Sequence, residues 1–257
     1  MCTSVILFRK EHHWPLIVGS NRDESFLRKS KFPARHWPKT YPKIIGGFDE
    51  KKGGSWFAIN DYGLISIIHN RNLEKNNNLI KKSRGNIILE LLDFENIDDS
   101  LEFLKNLNQS IYNGFNIILA NKDHCYWGKH ISVEKKIEIA EINEGISILT
   151  NKNLNDLKDR KTHFYLNKFS QAPIPNPSTN NWLAWELLLA TEKIEDQNRT
   201  EEAICFFDKE NNYGTRSSSL IGISDSFSFK QYKNPIIYLA TENAPSKSNF
   251  IDVDFGY

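Results

Sequence analysis

The hydrophobic period changes in blocks along this chain, and the order of those blocks restricts its fold more than any other feature. Two apolar runs, Ser4 to Phe8 and Pro15 to Gly19, flank the polar Glu11-His12-His13 and predict a hairpin. The Pro-rich stretch Phe32 to Pro42 predicts a loop, and Gly53 to Asn60 with Leu64 to Asn70 predicts a second strand pair. The period then becomes helical. Ile87, Ile88, Leu91 and Leu92 mark one helix within Ser83 to Phe94, and Asp99 opens another, with Glu102 as its capping partner. Strands resume at Phe115 to Ala120, His124 to Trp127, Lys136 to Ile142 and Ile146 to Leu149. Helices follow at Leu154 to Phe169, Trp182 to Ala190 and Glu201 to Phe207, and strands at Ser217 to Ile223, Ser226 to Gln231 and Ile236 to Leu239. Segregated runs of this kind favour an α+β fold over alternating α/β winding, with two antiparallel sheets stacked face to face and helices outside. No repeat and no long linker divides the chain, so residues 1–257 read as a single domain.

Charge excludes several function classes. Charged residues make up 25% of the 257 and balance to +1, which leaves no field to attract nucleic acid or an anionic membrane. The three cysteines, Cys2, Cys125 and Cys205, form neither a disulfide framework nor a zinc pattern and suit a reducing compartment. The apolar run after Cys2 breaks at Arg9-Lys10, and no stretch reaches transmembrane length, so the expectation is a soluble cytoplasmic protein without stable membrane insertion. No metal is expected, because His12-His13, His69 and His124-Cys125 lack partners at ligand spacing. Nor is a cofactor: Gly53-Gly54 opens a strand and has no following Lys-Ser or Lys-Thr.

Chemistry enters at residue 2. Only Met1 stands before Cys2, and removal of Met1 by methionine aminopeptidase would place a thiol beside a free α-amine. Such an amine has a pKa of roughly 7.7–8.0, which suits a general base towards its own side chain. The string Asn21-Arg22-Asp23-Glu24 lies at the end of the second strand, which the hairpin returns to the neighbourhood of Cys2. Asp23 could hold the amine through a charge-assisted hydrogen bond, and Arg22 could screen a thiolate or bind a substrate carboxylate. A solvated turn is the plainer reading of the same string.

Met1-Cys2-Thr3, Asn21 to Glu24, Gly53-Gly54-Ser55-Trp56, Ser83-Arg84-Gly85, Asn113 to Asn116 and Tyr213 to Ser218 occur in the order of the NRDE, or transport-and-Golgi-organisation, family, which the chain resembles over almost its whole length. More remotely it is similar to the N-terminal-nucleophile hydrolases of the penicillin V acylase and bile salt hydrolase group. Those enzymes share Met-Cys-Thr and a Gly-x-Asn-x-Asp string, matched by Gly19, Asn21 and Asp23; their Arg after the Gly is Ser20 here. The resemblance implies a four-layer αββα sandwich of two antiparallel sheets. It implies Cys2 as nucleophile, Asp23 as the group orienting its amine, and an oxyanion hole from the Asn151 amide, in Thr150-Asn151, and the backbone near Asn70. An oxyanion donor of this kind contributes roughly 2.7–4 kcal/mol. Asn21, Arg22, Glu24, Arg216 and Trp56 would line the substrate site, with Arg160 a weaker candidate for the group's late arginine.

Two functions follow. One is an N-terminal-cysteine amidohydrolase acting on a small linear amide. The other is a protein that binds or traffics an acyl lipid or haem without hydrolysis, as the family's link to Golgi organisation, lipid homeostasis and haem implies. Fold alone does not choose between them.

Overall fold

In the computed structural model, which describes residues 2–73, 81–192, 202–226 and 236–256, the chain forms two compact units, each carrying one antiparallel sheet. Both are assembled from separated stretches of chain: Met1–Arg28, Glu144–Ser226 and Asn234–Val253 in the first, Lys29–Asn143, Phe227–Lys233 and Asp254–Tyr257 in the second. The α+β class read from the segregated periods is therefore the observed one.

The sheet of the first unit runs in the order β10 (Gly145–Leu149), β1 (Thr3–Phe8), β2 (Leu16–Ser25), β12 (Tyr213–Ile223), β13 (Ile236–Ala240) and β14 (Ile251–Asp252), with β11 (Phe207–Asp208) paired to β12. Strands β1 and β2 are central, which is why β1 is buried along its whole length. Their apolar residues pack with the helices α3 (Arg160–Gln171) and α4 (Leu183–Leu189) in a core containing Val5, Ile17, Ile148, Trp185, Leu189 and Leu220. Tyr165, Phe169 and Trp185 are almost fully buried there, Phe169 meeting Trp185 edge-on at 5.3 Å. Burying such a side chain contributes about 1.5–3 kcal/mol.

The second unit is a meander, β3 (Ser30–Ala34), β4 (Ile44–Asp49), β5 (Phe57–Asn60), β6 (Ile65–Asn70), β7 (Phe115–Ala120), β8 (Cys125–His130) and β9 (Glu138–Glu141), paired in chain order. Helices α1 (Gly85–Leu91) and α2 (Ile97–Asn106) supply Ile87, Ile88, Leu91, Leu101 and Leu104 to its core. Ser55 N–H donates to Gly85 O at 3.1 Å, and Arg84 Nη1 to Gly114 O at 2.7 Å. The Gly-Gly-Ser-Trp, Ser-Arg-Gly and Asn-Gly-Phe-Asn blocks thus bond to one another.

Several boundaries differ from the sequence expectation, each for a local reason. Strand β2 continues through Ser25 because β1 and β12 flank it and satisfy its backbone. The loop expected over Phe32 to Pro42 yields its start to β3, and Ile44–Asp49, interrupted by Gly46-Gly47, forms β4. Helix α2 begins two residues before Asp99: Asn96 is its N-cap, accepting from Asp99 N–H at 2.9 Å while its own amide donates to Asp99 Oδ2 at 2.7 Å. Helix α3 begins only at Arg160, capped by Asp159, whose carboxylate accepts from Thr162 N–H at 3.0 Å. Residues 202–207 are not a helix but lead into β11, and the strand expected over Ser226 to Gln231 lies almost entirely outside the described residues. No helix among the described residues is long and apolar enough to cross a membrane.

Candidate active site

The string Gly19-Ser20-Asn21-Arg22-Asp23 lies inside a central strand, and the alternation of a strand sorts it onto two faces. Gly19, Asn21 and Asp23 share one face. A Cβ on Gly19 would come within 3.1–3.2 Å of side-chain atoms of Val5, Leu189 and Leu220, so glycine lets the end of α4 lie close to the sheet. The Asn21 amide donates to Leu189 O at 2.8 Å and Ile204 O at 3.0 Å, tying two chain segments to β2. Asp23 is 2% exposed and its Oδ1 accepts from Thr215 Oγ1 at 2.7 Å. Thr215 Oγ1 in turn accepts from Phe206 N–H at 3.1 Å. Ser20 and Arg22 occupy the opposite face, where Ser20 Oγ meets Ser4 Oγ at 2.8 Å.

Cys2 sits just before β1, half-buried, at the end of this ladder. Its Sγ accepts from Asp23 N–H at 3.3 Å and the thiol donates to Asp23 O at 3.5 Å. Tyr213 Oη donates to the same carbonyl at 3.0 Å. Strand register places the remaining groups. Thr3 pairs with Asn21 and Ser4 with Leu149, so extending each ladder towards residue 2 sets Cys2 level with Arg22 on one side and Asn151 on the other. Arg22 pairs onward with Ser217 of β12. Strand β10 itself ends at Leu149, so Asn151 lies two residues past the last paired position beside β1.

Burial pushes the Cys2 thiol up from its ordinary value and the Asp23 charge adds to the shift, while the Asp23 backbone hydrogen bond and the Arg22 charge pull the other way. The thiol is consequently protonated at neutral pH, and attack requires a base to take its proton.

Asn151 does not cap α3, which starts nine residues later under Asp159. Its amide makes no hydrogen bond among the described residues, and it faces a cavity of about 460 Å³ together with Thr150, Asp156, Arg160 and Lys161. Arg160 itself is exposed at 62% and lies 3.8 Å from Glu202. Glu24 pairs with Arg28 at 3.9 Å, one helical turn's worth of sequence along. Arg216 is the extra residue of a β-bulge: Thr215 faces Asp23 and Ser217 faces Arg22, which leaves Arg216 without a register partner and redirects its side chain. In the second unit, Asn70 ends β6, exposed, beside a cavity of about 310 Å³ shared with Arg71, Arg84 and Asn113. Trp56 of the same unit is half-buried before β5, its carbonyl accepting from Ile68 N–H at 3.0 Å.

Three residues of this neighbourhood were not among the site residues expected from sequence, although Tyr213 and Thr215 lie in one of the family's blocks. Thr215 and Tyr213, which fix Asp23, precede the strand start assigned from apolar content. Lys161 lies in the Asn151 cavity, where burial depresses its ammonium while Asp23 and Cys2 favour its charge. Lys161, Tyr165 and Phe169 follow an i, i+4, i+8 spacing, so extending the buried stripe of α3 towards its N-terminus would have found it.

Among solved structures, the chain is similar to an N-acylethanolamine-hydrolyzing acid amidase ortholog from Caenorhabditis elegans, with a TM-score of 0.54 and 12% identity over 85% of this chain and 92% of that one. It is also similar to a mutant conjugated bile acid hydrolase from Clostridium perfringens, with a TM-score of 0.52 and 14% identity over 98% of this chain and 92% of that one. These likenesses show that the chain shares the fold of those two proteins. A search of curated proteins gives no match. A family model does match, spanning residues 1–233 and agreeing with the ordered blocks along the sequence: the chain belongs to the Transport and Golgi organisation 2 family.

Proposed function

We propose that this protein is an N-terminal-cysteine amidohydrolase acting on a small linear amide once Met1 has been removed. The supporting observation is the seating of Cys2 Sγ on the Asp23 backbone, with the Asp23 carboxylate held by Thr215 and Asn151 following the end of β10, the strand beside β1. In the reaction, Cys2 Sγ attacks the amide carbon as the thiol proton passes to the α-amine of Cys2, which Asp23 orients. Asn151 donates to the oxyanion. The C–N bond breaks as the amine returns the proton to the leaving nitrogen, giving a thioester. Water, deprotonated by the same amine, then attacks the thioester and releases the acid and the thiol.

The test is intact-mass measurement followed by labelling with a thiol-reactive lactam probe. Loss of Met1 and labelling that disappears in Cys2→Ala are the expected results. Retained Met1, or labelling unchanged in that variant, removes the hydrolase. The word transport in the family's description suits a second reading, a carrier that leaves its cargo intact, for which we propose an acyl lipid or haem. Saturable micromolar binding to a chain that retains Met1 is the result expected of the carrier.

A further inference from the structure

We propose that a second cavity of the first unit binds a small oxyanion carrying a flat apolar body, its charge held between Arg216 and Lys247 and its body against Phe26 and Phe207. The cavity measures about 500 Å³, within the range of small-molecule sites, and is lined by those four residues with Lys209, Thr215, Asn243 and Ala244. Its charge is one-sided. The whole chain has 33 basic and 32 acidic residues, yet among the described residues this lining holds three cations and no carboxylate.

Two of these cations rest on aromatic rings. Lys247 Nζ lies 3.4 Å from the centroid of Phe207, and Arg216 Cζ 5.8 Å from that of Phe26. Arg216 Nε is buried with no hydrogen-bond partner among the described residues. A guanidinium presents a planar fork that matches a carboxylate or phosphate, a stronger partner than a ring face. The rings are stacked at 6.5 Å with 26° between planes, an apolar wall next to that charge. Backbone is shaped to fit them: a Cβ on Gly214 would stand 3.0 Å from Phe26 Cζ and 2.4 Å from Phe206 O. The bulge that leaves Arg216 unpaired aims it here, and Thr215, which lines the cavity, also holds Asp23.

Assigning this ligand as the substrate rests on the hydrolase reading, whereas its binding does not. The experiment therefore uses the Cys2→Ala protein, titrated calorimetrically with 2-naphthoate, 2-naphthyl phosphate and the neutral 2-naphthamide. Saturable binding of at least one anion is expected, about tenfold tighter than the amide, and weakened about tenfold in Arg216→Ala and in Lys247→Ala. The preferred anion distinguishes a carboxylate ligand from a phosphate one. Equal binding of the amide, binding unchanged in both variants, or no saturation of either anion by about 10 mM would overturn the proposal. None of those failures touches the labelling of Cys2, which tests the hydrolase separately.

Discussion

Removing the Thr215 hydroxyl without its volume, as Thr215→Val, should be among the most damaging single changes in the first unit. That oxygen donates to Asp23 Oδ1 at 2.7 Å and accepts from Phe206 N–H at 3.1 Å, with Thr215 2% exposed. Valine fills the space but offers neither bond. A hydrogen bond to a charged group contributes about 1.5–3 kcal/mol, and an orphaned buried N–H costs about 1–3 kcal/mol. The two losses share one atom and come to less than their sum, so the expected destabilisation is about 2–4 kcal/mol. For a chain of this size that lowers the melting temperature by roughly 10 °C. Thr215→Ser keeps the hydroxyl and loses a methyl, which should cost under about 1.5 kcal/mol. Guanidinium unfolding of the three proteins, with the slope checked for constancy, gives the comparison. If Thr215→Val loses no more than Thr215→Ser, the hydroxyl does not hold Asp23 and the account of the site's rear wall is wrong.

Two further outcomes are expected. Cys125 and Cys205 are fully buried, so iodoacetamide on the native protein reports Cys2; its rate at pH 7.5 should fall below that of a free peptide thiol and climb through pH 9 and beyond, because burial raises its pKa. Alkylation at pH 7.5 as fast as the peptide's would contradict a protonated, desolvated thiol. At the start of α2, Asn96→Ala should cost about 1 kcal/mol by thermal melting, and Glu102→Ala should be nearly neutral. The reverse order would restore Asp99 as the cap.

Apolar periodicity carried the sequence reading where side chains alone decide the outcome and lost it where backbone partners do. The β1–β2 hairpin, the β5–β6 and β7–β8 pairs and the helices around Ile87, Tyr165 and Trp185 were legible because their buried residues recur at the period of the element. The end of β2 was not. Asn21-Arg22-Asp23 is polar and reads as a turn, yet the strand continues because β12 supplies backbone partners nearly 200 residues away. Glycines hid β4 in the same way. At the site, the chemical types of Cys2, Asp23 and Asn151 could be picked out in advance, but the pairing of β1 with β10, which ends two residues before Asn151, is one that no local pattern encodes. Thr215 and Lys161 offered only a hydroxyl and a cation of ordinary appearance.

The division of β2 into two faces changes what its signature can be used to diagnose. Gly19 and Asn21 are committed to seating a helix end and two backbone carbonyls, work that this chain needs whether or not it turns over a substrate. A descendant that abandoned chemistry would therefore keep Gly-x-Asn-x-Asp for as long as it kept its shape. Positions 2 and 151 are tied more loosely, the Cys2 thiol meeting the Asp23 backbone at 3.3 and 3.5 Å and Asn151 following the end of β10. On the hydrolase reading they are where drift would show first, and where a Cys and an Asn would carry a message about turnover that the louder string between them cannot deliver.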